Sequence, residues 1–410
     1  MHTARYIAYA LPGLPLALFA LPLYVHMPKL YAEHAGLPLA LIGGALLGVR
    51  CLDALCDPLL GRWCDRHRRR KPMLLLALPF LISGGFMLLQ PPSDASLPWL
   101  LCGLLLAYAG YALAQINHQA WGAEFPPDDG GRLRATAWRE GAALLGVLLA
   151  AGLPNVLADD LAQGLARLLW LFVPVLCIAT FIALAGVPSP AARSDADDGA
   201  TFFSPWRSAS FRRLVLIYGI NGVAAAVPAT LVLFYVADVL HAGARSGAFL
   251  LAYFCAGALA LPFWAALAGR IGRLATWRWA MLLAITSFAA TPFLSSGDAA
   301  IFAVVCVLSG IALGADLAMP PALLAEHVAQ HGQAATSYGW WTAATKLTLA
   351  LAAGIALPLV SAFGYVPEQG GAAALAWVYG ATPLLLKALA LWALLSAQTL
   401  LQPLDQGASA

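Results

Sequence analysis

An arginine and two aspartates interrupt an apolar stretch early in the chain. Arg50, Asp53 and Asp57 stand at positions i, i+3 and i+7, so on a helix they share one face. Two carboxylates one turn apart repel each other, and at least one gains from a bound cation, a proton or a basic partner. The spacing therefore predicts that Asp53 and Asp57 couple to a cation. The alternative is that Arg50 pairs with Asp53 and only braces the helix bundle.

A second group of polar residues lies in the fourth apolar run. Tyr111, Gln115 and His118 are spaced i, i+4 and i+7, and Asn117 and Trp121 lie beside them. Amides and an aromatic face suit the recognition of a polyol, so all five are candidate substrate-binding residues. The alternative is hydrogen bonding between membrane helices.

Further candidates lie in the second half of the chain. Asn221 falls in the seventh run, and Asp316 precedes Pro320–Pro321 in the tenth. The two prolines predict a broken helix beside a carboxylate, a plausible binding or gating element. Trp341 could stack on a sugar ring, or it could belong to an aromatic belt at the membrane interface.

Lys346 lies deep inside the eleventh run. It stands about ten residues inside the run, roughly 15 Å deep at 1.5 Å per residue. A buried lysine needs a carboxylate partner, and Asp53 and Asp57 are natural candidates. Pairing within its own half of the chain, or snorkelling, is the alternative.

These residues must be positioned by membrane helices. Hydrophobic residues make up 61% of the chain and charged residues 10%, against roughly 45–50% and 25% in soluble domains. Twelve apolar runs are long enough to cross a bilayer. We expect an all-α membrane protein with twelve transmembrane helices in two six-helix bundles. The seven cysteines form no CxxC pair and no cluster with histidine, so neither a disulfide framework nor a metal site is expected.

Polar segments between the runs set the orientation and the domain boundaries. With the N-terminus in the cytoplasm, only Lys29, Arg167 and Arg245 fall on the outer side, whereas the arginine-rich loops face inwards. Both termini are therefore expected in the cytoplasm of a multi-pass protein of the cell (inner) membrane. The longest polar break predicts a linker at 188–210, between an N-terminal bundle at 1–187 and a C-terminal bundle at 211–410. Arginine loops at equivalent places in the two halves suggest a repeat.

The stretch around the aspartate pair carries a family motif, R-x-x-D-A-x-x-D-P-x-x-G. Its fixed positions are Arg50, Asp53, Ala54, Asp57, Pro58 and Gly61. The motif resembles that of the glycoside–pentoside–hexuronide:cation symporter family of the major facilitator superfamily. The resemblance implies the major facilitator fold and a cation site at Asp53 and Asp57. It also places Arg139 at a position associated with sugar binding, and Lys346 at the family's lysine on helix eleven.

The loop that follows, "GRWCDRHRRRKP", resembles the superfamily's signature loop between helices two and three. In the superfamily this loop latches the two halves in one conformational state. The resemblance implies a conformational latch made of Arg50, Gly61, Asp65, Arg66 and Arg69. A purely topological anchor is the other interpretation, and both can hold.

The chain departs from the family at the sugar site. The first run carries no acid, and helix four has Gln115 where the family has an acid. Cys56 and Ala112 offer no oxygen ligands for sodium. A proton needs only one carboxylate with a suitable pKa, so H+ is expected, with Na+ as the second choice.

The expected function is secondary active transport, the cation-coupled symport of a sugar, glycoside or related polar organic solute by alternating access. The alternative is a carrier of lysolipids or other amphipathic solutes. A membrane enzyme or a non-transporting receptor is disfavoured, because no Walker A, HExxH or GxSxG setting occurs in a suitable context. We expect no cofactor besides the coupling ion. The expected partners are the solute and the bilayer, with no nucleic acid, and the protein is expected to be a monomer.

Overall fold

The computed structural model describes residues 2–67, 69–158, 160–189, 201–365 and 370–405. Residues 190–200, which make up much of the predicted linker, lie outside the described residues, as do 406–410 at the C-terminus.

Most of the described residues in the first half of the chain are helical. Its helices are α1 (His2–Ala10), α2 (Gly13–Val25), α3 (Met27–His34), α4 (Leu39–His67), α5 (Arg70–Leu89), α6 (Leu97–Glu124), α7 (Asp129–Leu157) and α8 (Leu161–Gly186). A turn at Leu11 and Pro12 separates α1 from α2, where the proline ring favours an interruption of the helix.

The second half is built in the same way. Its helices are α9 (Ser204–Arg207), α10 (Ala209–Phe234), α11 (Ser246–Ile271), α12 (Arg273–Phe288), α13 (Ala299–His331), α14 (Ala334–Ala362), α15 (Ala372–Ser396) and α16 (Gln398–Leu401). A π-helical turn at Tyr235–Val239 extends α10. The prediction of an all-α protein is confirmed.

Within the described residues, eight helices are long and apolar enough to cross a membrane by length and composition. They are α5, α6, α8, α10, α11, α13, α14 and α15. The other crossings in the predicted set of twelve are α4, α7, the interrupted pair α1–α2, and α12. The last of these is only 16 residues long.

The chain packs as two compact units. The first unit is Met1–Phe202 with Val328–Ala343, and the second is Phe203–His327 with Ala344–Ala410. In the first unit α5 packs along α6 and α2 along α7, while in the second α15 packs against α10 and α12. The helix α14 contributes its first turns to the first unit and the rest to the second. The domain boundaries at 188 and 210 stay a prediction.

Candidate transport site

The aspartate pair lies on the buried side of α4. Asp57 is fully buried and Asp53 is 7% exposed, and Arg50 on the same stripe is half-buried. Leu52 and Leu55, on the other side, are exposed. The helix thus turns its apolar side chains outwards and its carboxylates inwards, as expected when ionisable groups avoid lipid.

Two glycines bring α4 against the start of α14 inside the first unit. A Cβ atom on Gly339 would lie 2.5 Å from the carbonyl oxygen of Asp57 and 2.8 Å from the Cα of Pro58. A Cβ atom on Gly61 would collide with the carbonyl oxygen of Ala335. The backbone of Asp57 therefore touches the second turn of α14.

Asp65, one turn beyond Gly61 on α4, caps the N-terminus of α14. Its Oδ1 accepts a hydrogen bond from the backbone N–H of Ala335 at 2.9 Å. Its Oδ2 accepts from the N–H of Thr336 at 2.7 Å and from the Thr336 hydroxyl at 2.7 Å. A carboxylate suits this position, because the first N–H groups of a helix have no partners of their own and carry partial positive charge.

Arg70 ties this cap to the end of α6. Its Nη2 donates to Asp65 Oδ1 at 2.7 Å and to Glu124 Oε1 at 2.8 Å, and its Nε donates to Glu124 Oε2 at 3.0 Å. Arg66 and Arg69, two members of the predicted latch, are exposed. Sequence reasoning missed Arg70, although its place as the first residue of α5, just before the apolar run, is a usable signal.

The second unit repeats part of this arrangement. Arg273 is the first residue of α12 and its guanidinium lies 3.7 Å from Glu326 near the end of α13, as Arg70 meets Glu124. A carboxylate from the C-terminal segment completes the group, since Asp405 Oδ1 accepts from the N–H of Arg273 at 2.5 Å and of Leu274 at 3.3 Å. These matching pairs favour the predicted repeat.

Three of the predicted substrate residues on α6 make hydrogen bonds to other segments or to their own helix. His118 Nε2 lies 2.6 Å from the carbonyl oxygen of Tyr9, whose hydroxyl donates to the His118 carbonyl oxygen at 2.8 Å. Trp121 Nε1 donates to the carbonyl oxygen of Pro188 at 2.9 Å. Asn117 Nδ2 donates to the carbonyl oxygen of Leu113 at 2.8 Å. Of these contacts, the pair between His118 and Tyr9 on α1 matches the alternative of hydrogen bonding between membrane helices. Tyr111 and Gln115 are half-buried.

Buried amide oxygens nevertheless remain available in the described part of the chain. Asn117 Oδ1 and Gln119 Oε1 in the first unit have no hydrogen-bond partner there, and neither has Asn221 Oδ1 in the second. Each of these side chains is less than one-tenth exposed. A buried acceptor without a donor is costly, and a hydroxyl-rich solute could supply the missing donor.

Arg139 on α7 forms a polar cluster with two tyrosines. Its Nη2 donates to Glu140 Oε1 at 2.6 Å, and it interacts electrostatically with Tyr9 and Tyr338. Both tyrosines are essentially inaccessible to solvent. Guanidinium, carboxylate and phenol groups together can donate to and accept from sugar hydroxyls. Sequence reasoning selected Arg139 but missed both tyrosines, which carry no charge and belong to no recognised motif in the sequence.

In the second unit, Asp316 forms a buried ion pair with Lys387. Asp316 Oδ2 accepts from Lys387 Nζ at 2.5 Å, and its Oδ1 accepts from Trp277 Nε1 at 2.8 Å. The predicted break at Pro320–Pro321 is wrong, since α13 runs unbroken from Ala299 to His331. Membrane helices tolerate proline because neighbouring groups can satisfy the freed carbonyl oxygens.

The remaining predicted residues lie on α14. Trp341 is buried, within the first unit, and Lys346 is half-buried, within the second. Among the residues that the structure describes, no group of three or more His, Cys, Asp and Glu side chains could hold a metal ion.

A sequence profile of the family described as MFS/sugar transport protein matches residues 8–397. No curated protein sequence matches the chain. Among solved structures, the E. coli fucose:proton symporter superposes with a TM-score of 0.68 at 15% identity, covering 95% of this chain and 98% of that one. The proton:xylose symporter bound to 6-bromo-6-deoxy-D-glucose gives 0.68 at 13% identity, with 94% of each chain covered. A bacterial homologue of the iron transporter ferroportin gives 0.70 at 15% identity, with 97% and 99% covered.

The structural likeness shows the major facilitator fold and confirms the prediction of twelve membrane helices in two bundles. The profile match covers nearly the whole chain, and the family consists of transporters rather than enzymes. The protein is therefore a member of the MFS/sugar transport protein family, with which its symporter-like motif on α4 is consistent.

Proposed function

We propose that the protein is a cation-coupled symporter of a sugar, glycoside or related polar organic solute, and that it works by alternating access. The observation that carries the proposal is the pair of buried carboxylates, Asp53 and Asp57, on one side of α4. Ionisable groups inside membrane helices usually belong to ion or substrate pathways. The named sugar relatives are proton symporters, which supports a sugar as solute and H+ as the ion.

The pair couples to the ion because two adjacent carboxylates cannot both stay charged at low cost in a buried place. A proton, or a sodium ion, removes the repulsion. The backbone of Asp57 touches α14 at Gly339, and Asp65 caps the same helix two turns further along α4. Occupancy of the pair can therefore bias the position of α14. Such a bias is a coupling free energy between ion and solute, and by linkage it acts in both directions.

The solute is recognised by the cluster of Arg139, Tyr9 and Tyr338 and by the buried amides Asn117 and Gln119, all within the first unit. Other candidate substrate-binding residues predicted from the sequence are Tyr111, Gln115, Trp341 and Lys346. His118 and Trp121 act mainly by positioning α6, since their ring nitrogens are engaged by backbone oxygens.

The proposal is tested with purified protein in liposomes. Radiolabelled fucose, xylose, methyl β-glucoside, glucuronate and a lysophospholipid are supplied under a pH gradient or a sodium gradient. We expect accumulation of a sugar-type solute driven by the pH gradient. Asp53→Asn and Asp57→Asn should lower gradient-driven accumulation at least tenfold. The matched control Asp94→Asn changes an exposed carboxylate and should transport normally.

Two results would contradict the proposal. Unchanged accumulation in both α4 variants would remove the coupling role of the pair. Uptake of the lysophospholipid alone would move the protein to the class of amphipathic solute carriers.

A further inference from the structure

The second unit contains a cavity of about 300 Å³ between α10, α11, α12, α13 and α15. Its volume lies at the lower end of the range of small-molecule pockets, roughly 300–1,000 Å³. Most of its lining is aliphatic or aromatic, with Ala225, Phe254 and Phe288 among the residues. The Asp316–Lys387 ion pair forms part of the same wall. The cavity is thus mainly apolar, with the ion pair near the middle of α13 as its charged region and Tyr253, Ser309 and Tyr379 as the other polar lining residues.

Lys387 has hydrogen-bonding capacity left over. It is only 6% exposed, and Asp316 is the one hydrogen-bond acceptor that the described residues provide for it. An ammonium group carries three N–H donors, so two of them can serve a bound molecule. Buried donors of a charged group are expensive to leave unmet. This capacity at the wall of a cavity indicates a ligand that brings oxygen acceptors.

We propose that this cavity binds an uncharged amphipath, a molecule with a hydrocarbon body and hydroxyl or ether oxygens at one end. The oxygens accept hydrogen bonds from Lys387, and a ligand hydroxyl donates to Asp316. The hydrocarbon body lies against Phe254 and Phe288 on the apolar walls. The site belongs to the second unit and does not depend on the proposed coupling pair on α4.

The charge of the ion pair selects against other ligands. Asp316 and Lys387 neutralise each other at 2.5 Å. A carboxylate or phosphate head would add an uncompensated negative charge in a buried place, which is strongly unfavourable. A free sugar would bury most of its hydroxyls against apolar side chains without hydrogen bonds, at a further cost. An uncharged molecule with one small polar end suits both the ion pair and the apolar lining of the cavity.

The test is a binding measurement on the full-length protein in lipid nanodiscs. The probe is radiolabelled 1-O-octylglycerol, an uncharged amphipath with one ether oxygen and two hydroxyls, below its critical micelle concentration, with D-glucose and octanoate as competitors. We expect saturable binding that neither competitor displaces. Ala225→Phe, which places a ring in the cavity, should weaken binding at least tenfold, as should the double variant Asp316→Asn/Lys387→Met, which removes both charges together.

Two controls separate this site from its surroundings. Leu216→Phe adds a ring on the same helix at a side chain that is 51% exposed and outside the cavity, and it should bind normally. Asp57→Asn should also bind normally, which keeps a failure of this site distinct from a failure of the coupling pair. Equal binding by Ala225→Phe, the double variant and Leu216→Phe would overturn the proposal. Displacement by octanoate or glucose would overturn the ligand class.

Discussion

At the scale of single residues, Gly339 decides how closely α14 can approach α4. The space where its side chain would begin is filled by backbone atoms of Asp57 and Pro58, which cannot rotate away as the end of a side chain could. A methyl group there must push the two helices apart. The position of the Asp57 carboxylate relative to α14 therefore depends on a residue that has no side chain.

Gly339→Ala should destabilise the protein, because overpacking a close contact costs about 1–3 kcal/mol. We expect a lower melting temperature and weaker ion-driven uptake. The control is Gly219→Ala on α10, where a Cβ atom meets nothing within 4 Å. Alanine is favoured over glycine within a helix by about 1 kcal/mol, so the control should be at least as stable as the wild type. Equal melting temperatures for all three proteins would refute the tight crossing.

The aspartates were predictable from the sequence, whereas their surroundings were not. Charged residues inside an apolar run are conspicuous, and a spacing of three and four places them on one side of a helix. Tyr9 and Tyr338 gave no such signal, because tyrosines are enriched near the ends of membrane helices whether or not they bind anything. Lys387 was hidden for another reason. Its partner Asp316 is 71 residues away in the chain, and periodicity describes only neighbours on one helix.

At the scale of helices, Asp65 on α4 connects its own helix to three others, α5, α6 and α14. It caps α14 and it shares Arg70 with Glu124 at the end of α6. A cap of this kind contributes about 0.5–2 kcal/mol, and Asp65 has both the helix terminus and the arginine as partners. The first turn of α14 should therefore open rarely while Asp65 is in place.

Asp65→Ala should make the first turn of α14 unfold locally more often. We expect the backbone amides of Ala335 and Thr336 to exchange their hydrogens roughly tenfold faster, as expected for a loss of about 1.4 kcal/mol. Hydrogen exchange followed by mass spectrometry measures this directly. Arg66→Ala, which alters an exposed neighbour, is the matched control and should leave the rate unchanged. Identical exchange in both variants would mean that Asp65 does not hold the helix.

The helices themselves were foreseen because their length is set by the bilayer, and apolar runs of about 20 residues are visible in any sequence. The continuity of α13 was not foreseen, because proline interrupts helices in water far more reliably than in membranes. The chain is interrupted between α1 and α2 at Pro12, whereas α13 continues through Pro320 and Pro321. The presence of proline alone therefore does not determine whether a membrane helix is interrupted.

At the scale of the whole molecule, the distribution of arginine predicts the orientation. Arg69 lies in the loop before α5, on the side expected in the cytoplasm, and Arg245 lies before α11 on the opposite side. Both side chains are exposed. The positive-inside rule compares the lysine and arginine content of short loops, and here only Lys29, Arg167 and Arg245 fall on the side expected outside.

Thiol labelling can test the orientation in a background from which the seven cysteines have been removed. We expect a membrane-impermeant maleimide to label Arg245→Cys in intact cells, and Arg69→Cys only in inside-out vesicles. Each variant serves as the control for the other. The reverse pattern would place both termini outside.

The carboxylate of Asp405 has a practical meaning for work with this protein. It holds the first N–H groups of α12, so the last turn of the described chain is part of the folded unit and not a free point of attachment. An affinity tag fused after Ala410 preserves this contact, whereas a truncation at residue 404 removes it. We expect the truncated protein to be recovered in lower yield than the full-length chain.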